Sequence, residues 1–182
     1  MPETNPPIDI SRLSLAEIEA AVAAQRRPPV ERWNPRHCGH SGMRIDREGR
    51  WWHEGRPIER AALVRLFASV LRREEDGSHV LVTPAEKLDI DVDFAALRVV
   101  AMTIEGSGEA QRIALQLNTG EALVVGPDHP LTVREELPLV AVRGGLEASF
   151  ERPVYFELAE LALAADPPGV WSGGRFFPLG PS

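Results

Sequence analysis

Side chains that could do chemistry concentrate in two short stretches of this chain. The first is His37-Cys38-x-His40, and the second is Thr83-Pro84-x-Glu86-Lys87. Zinc prefers cysteine and histidine ligands, so the first stretch could supply a metal site, completed by His53. Cys38 with a neighbouring histidine as base could instead be the nucleophile of a small hydrolase. Without a CxxC or HxxxH spacing, a docked loop is the simpler interpretation, and we predict no metal, cofactor or catalytic residue.

The second stretch follows an apolar strand and offers a hydroxyl, a carboxylate, an amine and backbone N–H groups. Such groups suit a phosphate or an anionic sugar, and arginine with an aromatic platform would help to hold a nucleotide. The alternative is a capped turn with a salt bridge from Glu86 to an arginine. We predict a ligand site formed by eight residues: Trp52, His53, Arg72, Thr83, Glu86, Lys87, Asn118 and Thr119.

Three alternating aspartates, Asp89, Asp91 and Asp93, form a third polar cluster. They could hold a hard cation, or they could be the solvated face of a strand whose charges discourage aggregation. The sequence contains no GxxxxGK[ST] phosphate-binding loop. The glycines of Gly106-Ser107-Gly108 lie between two strand patterns rather than before a helix, so they do not indicate a dinucleotide fold.

Helices and strands that would position these residues can be read from capping and periodicity. The capping box Ser14-x-x-Glu17 starts a helix that ends before Pro28-Pro29. Val30–Gly42 is predicted to be a loop, and Pro57 is predicted to open an amphipathic helix. The remaining predictions are a hairpin around Gly49, a buried strand at 80–82, strands at 88–92, 97–104, 112–117 and 122–125, and a short strand or turn at 133–137.

The central unit recurs near the C-terminus at a constant offset of 96 residues. Arg152-Pro153 matches Arg56-Pro57, Gly145 matches Gly49, and Gly173 matches Gly77, without an insertion. We predict an α+β fold of two similar strand–strand–helix–strand modules that arose by duplication. Residues 1–29 would form a tail and helix, 30–92 the first module and 93–182 the second. A ligand cleft would lie between the modules.

Composition excludes several classes of function. The net charge of −7 lies entirely in residues 91–182, so duplex nucleic acid is a poor partner. No apolar run reaches 18 residues, and we expect no membrane association. The N-terminal stretch lacks the features of a secretory signal, and the single cysteine fits a reducing compartment. We expect a cytoplasmic protein, with its oligomeric state undetermined.

Seven motifs resemble an uncharacterised bacterial family, domain-of-unknown-function family 1285. They cover roughly residues 25–180 and are most specific in the first half. The motifs are Val30–Trp33 with Pro35 and Cys38-Gly39; Gly49-x-Trp51-Trp52-His53-x-Gly55-x-Pro57-Ile58; Leu66-Phe67-x-x-Val70-Leu71-Arg72; Leu81-Val82-Thr83-Pro84-x-Glu86-Lys87; Leu117-Asn118-Thr119; Arg152-x-x-Tyr155-x-Glu157-Leu158; and Ser172-x-Gly174-x-Phe176.

The resemblance implies a duplicated α+β fold whose C-terminal part is superficially like a pleckstrin-homology barrel. It also implies a nucleotide-like ligand between the halves and a signalling role. One departure is Phe156, where the family has a second tyrosine after Tyr155. Our leading hypothesis is therefore a regulatory protein that binds a small anionic ligand. The alternatives are the hydrolase and a protein-interaction module built on Val170-Trp171 and Phe176-Phe177, aromatics that more simply belong to core strands.

Overall fold

A computed structural model describes residues 6–181 of the chain. The predicted α+β fold is confirmed, with two similar modules that are each built on a six-stranded sheet and contain one helix. An N-terminal helix, α1 (Leu15–Ala24), precedes them. Its capping box is present, because Ser14 accepts from the Glu17 N–H while the Glu17 carboxylate accepts from the Ser14 N–H.

The first module is a six-stranded sheet with one helix. Its strand order is β3-β2-β1-β6-β5-β4, and β1 runs parallel to β6. Its elements are β1 (His37–Ile45), β2 (Trp51–His53), β3 (Arg56–Pro57), α2 (Ala61–Ser69), β4 (Leu71–Arg73), β5 (His79–Val82) and β6 (Lys87–Val92).

Two sequence predictions for this module were wrong. Part of the expected Val30–Gly42 loop is strand β1, which tolerates its glycines because its pairing with β6 shifts register twice. Gly39 and Gly42 have positive φ values of 106° and 76° along this irregular strand. Pro57 does not open a helix but ends the two-residue strand β3, and α2 begins four residues later at Ala61.

The second module contains a six-stranded sheet, curled into a half barrel, and a two-stranded sheet. The strand order of the large sheet is β10-β11-β12-β7-β8-β9, and β13 pairs with β14. Its elements are β7 (Leu97–Glu105), β8 (Arg112–Leu117), β9 (Ala122–Val124), β10 (Leu131–Arg134), β11 (Leu137–Arg143), β12 (Leu146–Phe150), α3 (Arg152–Leu163), β13 (Gly169–Ser172) and β14 (Arg175–Pro178).

The 96-residue offset relates matching elements of the two modules. The offset carries β5 onto β14 residue for residue, and it carries the β1–β2 turn onto the β11–β12 turn. Gly49 and Gly145 have almost equal φ values, 80° and 81°, because both hairpins need the left-handed conformation there. The modules differ at the helix entrance, since Arg152-Pro153 begins α3 as predicted whereas Arg56-Pro57 is a strand.

A single apolar core joins the modules. Ile45, Trp51 and Leu81 of the first module belong to the same buried cluster as Leu115 and Phe150 of the second. Each large side chain buried in this way contributes on the order of 2 kcal/mol, so the modules stabilise one another. A smaller cluster seats α1 on β8 and β9 through Leu15 and Ile18, both completely buried.

The core also includes two of the apolar strand residues near the C-terminus. Val170 and Phe177 are each only 2% exposed, so they belong to the core, and Trp171 packs against Phe176. Within residues 6–181, no helix is long and apolar enough to cross a membrane.

Candidate functional site

Arg72, one of the predicted ligand residues, donates hydrogen bonds to three other residues of the chain. Its Nη1 donates to the carbonyl oxygens of Val30 and Trp33 at 2.8 and 2.6 Å. Its Nε and Nη2 donate to Glu74 Oε1 at 3.2 and 2.8 Å. The side chain is 16% exposed. Arg72 therefore fastens the segment before β1 to strand β4, and four of its five N–H donors already have partners.

Lys87 lies beside Arg72 and contacts the same carboxylate. Its Nζ is 3.7 Å from Glu74 Oε1, and its side chain is 20% exposed. The nearby Thr83 hydroxyl accepts from the N–H groups of Ala85 and Glu86, at 3.3 and 3.1 Å, which makes Thr83 the cap of the β5–β6 turn. Glu86 is exposed on this turn. We call Arg72, Glu74 and Lys87 the Arg72 cluster.

Trp52 and His53 lie on β2, which is separated from Lys87 on β6 by strand β1 and from Arg72 on β4 by strands β1, β6 and β5. Trp52 Nε1 donates to Asp46 Oδ2 at 2.9 Å, and Arg50 Nε reaches the same oxygen at 3.0 Å. Burial alone would raise the pKa of Asp46, but these bonds outweigh it and hold that pKa below its usual value. His53 is exposed. This tryptophan supports the β1–β2 turn.

Asn118 and Thr119 form the β8–β9 turn in the second module. Asn118 Oδ1 accepts from the Arg98 N–H at 3.0 Å, and the Asn118 N–H donates to the Arg98 carbonyl at 2.8 Å. The Thr119 hydroxyl accepts from the Glu121 N–H at 3.1 Å. The structure thus distributes the eight predicted residues over three places, and of the eight only Thr119 lines the cleft described next.

A cleft between α1, α2 and the β8–β9 turn brings three arginines together. We call it the arginine cleft and define it by Arg26, Arg27, Arg65, Thr119, Gly120 and Glu121. Two of the arginines follow α1, the third lies on α2 of the first module, and the turn belongs to the second module. The cleft is therefore built where three separate parts of the chain meet.

Gln25 fixes the position of the first two arginines. Its side-chain amide accepts from the Ala122 N–H at 2.7 Å and donates to the Ala122 carbonyl at 3.0 Å. The end of α1 is thereby held against strand β9 across 97 residues of sequence. Arg26 and Arg27 come directly after this anchor, so their backbone is fixed at the rim of the cleft.

Gly120 lets the N-terminal segment pack closely against the β8–β9 turn at another wall of the cleft. Its φ is +87°, and a Cβ built on it would lie 3.1 Å from Pro7 Cα and 3.5 Å from Arg65 Cδ. The Ile8 N–H also donates to the Gly120 carbonyl at 3.1 Å. A residue with a side chain would be strained at this φ and would push against the N-terminal segment. The absence of a side chain at 120 lets Pro7 pack closely against the turn, and Arg65 lies at ordinary contact distance from it.

Among residues 6–181, Glu121 is the one acidic group that lines the cleft, and Arg143 neutralises it. Arg143 Nη2 and Nε donate to Glu121 Oε1 and Oε2 at 2.8 and 3.1 Å, a bidentate pair that is largely buried. Burial alone would raise the pKa of Glu121, but Arg143, with help from Thr119 and the charge of Arg27, holds that pKa below its usual value. Among residues 6–181, no carboxylate forms an ion pair with Arg26, Arg27 or Arg65.

The His37–His40 stretch lies on the exposed face of β1 and pairs with β6. His37 Nε2 is 2.9 Å from Asp89 Oδ2, and His40 Nε2 is 3.2 Å from Asp91 Oδ1. Arg44 continues the series with Asp93 at 2.9 Å. The three aspartates thus have cationic or histidine partners across the strand pair, and we call these three pairs the surface ladder.

Cys38 is exposed, and its Sγ lies 3.1 Å from the Arg36 carbonyl. Within the part of the chain that the structure describes, no three His, Cys, Asp or Glu side chains converge as metal ligands would. The Cys38 stretch as a hydrolase site stays a hypothesis from the sequence.

Comparison with known families agrees with the resemblance seen in the motifs. The model of the N-terminal domain of DUF1285, a domain of unknown function, matches residues 28–95, and the model of its C-terminal domain matches residues 96–179. The chain belongs to the DUF1285 family. No curated protein matches this DUF1285 chain.

Two solved structures are similar to this DUF1285 chain. A DUF1285 family protein from Silicibacter pomeroyi DSS-3 is 38% identical, with a TM-score of 0.77, over 88% of this chain and 93% of that one. A DUF1285 family protein from Shewanella baltica OS155 is 20% identical, with a TM-score of 0.53, over 66% of this chain and 91% of that one. The second likeness concerns the fold alone.

Sequence reasoning missed the three arginines of this DUF1285 chain's cleft. Arg26 and Arg27 look like an ordinary polar helix end, and Arg65 looks like the solvated face of α2. The available signal was the Gln25-Arg26-Arg27-Pro28 run, in which two adjacent cations follow a helix that closes on a proline. Nothing in the sequence links that run to residues 119–121.

Proposed function

We propose that this protein is a cytoplasmic regulatory module that binds a small, multiply charged anion in the arginine cleft. The observation that carries the proposal is that Arg26, Arg27 and Arg65 line one cleft, in which the one carboxylate from residues 6–181, Glu121, already binds Arg143. Three guanidinium groups with one neutralised acid leave an excess of positive charge. Phosphate oxygens, like those of a carboxylate, match the planar, paired donors of guanidinium, and a phosphate group carries the larger negative charge.

Preorganisation supports binding at this place rather than at the Arg72 cluster. Gln25 fixes the backbone just before Arg26 and Arg27, and Arg65 extends from helix α2, so binding needs little further ordering of the main chain. At the Arg72 cluster, an entering anion would have to displace Glu74 from two cations. Displacing a satisfied partner costs about as much as the new contact returns.

The ligand class follows from what the cleft contains. Besides the three arginines and Glu121, its walls contain proline, isoleucine, glutamine, serine, threonine and glycine, and no aromatic side chain among residues 6–181 lines it. A phosphate or pyrophosphate group is therefore the part that we expect to be recognised, with any nucleoside extending outward. Free phosphate compounds and nucleotides share this chemistry, and the experiment separates them.

A regulatory role follows from the position of the cleft. Its arginines come from the end of α1 and from the first module, and its turn comes from the second module. A ligand that contacts all three parts would stabilise their arrangement by RT ln(1 + [L]/Kd), which is about 2.7 kcal/mol at one hundred times Kd. The free energy of unfolding of the protein would therefore rise with the concentration of this ligand.

Thermal unfolding in the presence of anions tests the proposal. The panel is inorganic phosphate, pyrophosphate, nucleoside mono-, di- and triphosphates and cyclic dinucleotides, each matched by NaCl of equal ionic strength. At saturation we expect at least one phosphate compound to raise the Tm by several degrees, since about 1 kcal/mol corresponds to 2–4 °C at this chain length.

Arg65→Gln is the test variant, and Arg56→Gln is its matched control, because Arg56 is exposed on β3 outside the cleft. We expect the rise in Tm to disappear in Arg65→Gln and to persist in Arg56→Gln. If no phosphate compound exceeds its NaCl match, or if both variants respond like the wild type, the cleft is not an anion site.

A further inference from the structure

Strand β10 forms an unpaired edge of the second sheet. It is the last strand in the order β10-β11-β12-β7-β8-β9, and it pairs only with β11. Edge strands are commonly shielded by charge, proline or a covering segment, because their main-chain groups can pair with another chain. Arg134 could have shielded this edge, but its guanidinium turns back to the Phe94 carbonyl at 2.7 Å and to Glu147 at 2.9 Å.

The pairing register shows which main-chain groups point outward from β10. The Ala141 N–H donates to the Pro130 carbonyl, so residues 130 and 141 form a hydrogen-bonded pair. Such pairs alternate along an antiparallel ladder, which places Leu131 and Val133 at non-hydrogen-bonded positions. Pro138, which has no N–H, lies opposite Val133 and fits this assignment. The N–H and carbonyl groups of Leu131 and Val133 therefore point away from β11.

An apolar groove runs along this outward edge. One wall is β10 with the turn after it, and the other wall consists of Pro167, Pro168 and the segment Pro178–Pro181. That second wall offers few donors to β10, because its prolines lack N–H groups and the Leu179 N–H already donates to the Pro168 carbonyl at 3.0 Å. Val133 is 42% exposed in the groove. The groove thus offers one row of main-chain partners opposite an apolar wall.

The charges in the groove have one sign. Glu135 and Glu136 lie in the turn after β10, and no Lys, Arg or His side chain from residues 6–181 lines the groove. Glu135 forms an ion pair with Arg47, whereas Glu136 forms no ion pair with any residue among 6–181. An occupant with a cationic residue at this end would be favoured over an acidic one.

We propose that this groove binds an extended peptide that adds a strand to β10 and carries a basic residue toward Glu136. The main-chain groups of Leu131 and Val133 would exchange hydrogen bonds with the peptide. The peptide's alternate aliphatic side chains would lie between Val133 and the prolines of the opposite wall, as in other cases of strand addition. This site is separate from the arginine cleft and does not depend on an anion being bound there.

Selection of random octapeptides on phage against the immobilised full-length chain tests this inference. We expect selected sequences to alternate aliphatic residues and to carry Lys or Arg at one end. The synthetic form of the most enriched peptide is then titrated by fluorescence polarisation. Val133→Pro removes an outward N–H and should weaken this peptide at least 10-fold, whereas Val133→Thr keeps the N–H and the β-branched shape and should bind within about 2-fold.

Glu136→Lys provides a second variant that leaves the strand intact if Val133→Pro does not fold. Reversal of this charge should weaken the peptide at least 5-fold at low salt and less at high salt. Failure to enrich any such peptide, or equal binding by the wild type, Val133→Pro and Glu136→Lys, would overturn the proposal. A wild-type dimer that Val133→Pro converts to a monomer, seen by light scattering, would also overturn it, since a second copy would then occupy the edge.

Discussion

The Arg72 cluster and the arginine cleft contain the same kinds of side chain in opposite electrostatic states. In the Arg72 cluster, two cations share Glu74, and Arg72 also binds two carbonyl groups. The cleft is lined by three arginines and, within the described part of the chain, by one carboxylate, which a fourth arginine already neutralises. The comparison teaches that a cation indicates a ligand site only where the protein itself has not used its donors.

This difference assigns separate roles to the two regions. Satisfied donors in a half-buried cluster stabilise the fold, because removal of one partner leaves the others desolvated and unpaired. Arginines without partners at a preorganised cleft contribute little to stability and remain available to an anion. Stability and anion binding should therefore respond to different substitutions.

Arg72→Ala should give the largest change in stability. It leaves the carbonyl groups of Val30 and Trp33 and the Glu74 carboxylate without their main donor, and we expect a loss of about 3 kcal/mol in the free energy of unfolding. Urea denaturation followed by circular dichroism measures it. Arg65→Ala is the comparison variant and should cost less than about 1 kcal/mol. Equal losses in the free energy of unfolding of the two variants would contradict the assignment of separate roles to the two regions.

Glu121→Gln should give an intermediate change that depends on pH. The Glu121 pKa is lower in the folded chain than its ordinary value of 4.5, so the carboxylate stabilises the fold above that value. This contribution is lost as the pH falls below 4.5 toward the folded pKa. The variant should be less stable than the wild type by about 1–2 kcal/mol at pH 7.

The difference between the two proteins should shrink as the pH falls through that range. Urea midpoints measured from pH 7 down to pH 3 give both curves. Parallel curves over the whole range would mean that the Arg143 pair does not set the charge state of Glu121.

Substitutions in the surface ladder should give the smallest change in stability. Its pairs are exposed, so water and salt screen them, and Asp89→Asn or Asp93→Asn should shift the Tm by less than about 2 °C. Thermal unfolding at low and at high salt checks this, with the small shift expected to vanish at high salt. A loss as large as that of Arg72→Ala would show that the ladder, rather than the Arg72 cluster, holds the β1 segment.

Local patterns in the sequence predicted most of the fold. The Ser14–Glu17 capping box, the hairpin at Gly49 and the strands from 97 to 124 depend on neighbours in sequence, and the 96-residue offset predicted the second helix correctly. Pro57 failed as a helix start, because the same Arg-Pro pair also suits an edge strand, where a missing N–H costs little. The β1 glycines looked like a loop because register shifts are invisible without the partner strand.

The candidate site could not be read in the same way. Thr119 was predicted, but its neighbours in the cleft come from α1 and α2, and the Gln25 contact that gathers them spans 97 residues. The sequence also did not reveal that the donors of Arg72 are consumed by Val30 and Trp33, about 40 residues earlier. Contacts between residues far apart in sequence decide which cations remain available to a ligand, and residue type alone does not reveal those contacts.

The most direct test of the account is calorimetric titration of pyrophosphate into two variants, Arg65→Gln in the arginine cleft and Lys87→Gln in the Arg72 cluster. Loss of one charged hydrogen-bond donor corresponds to about 10-fold or more in affinity. We predict that pyrophosphate binding weakens at least 10-fold in Arg65→Gln and stays within about 2-fold of the wild type in Lys87→Gln. Loss of binding in Lys87→Gln with full binding in Arg65→Gln would contradict the account and return the ligand to the Thr83–Lys87 turn.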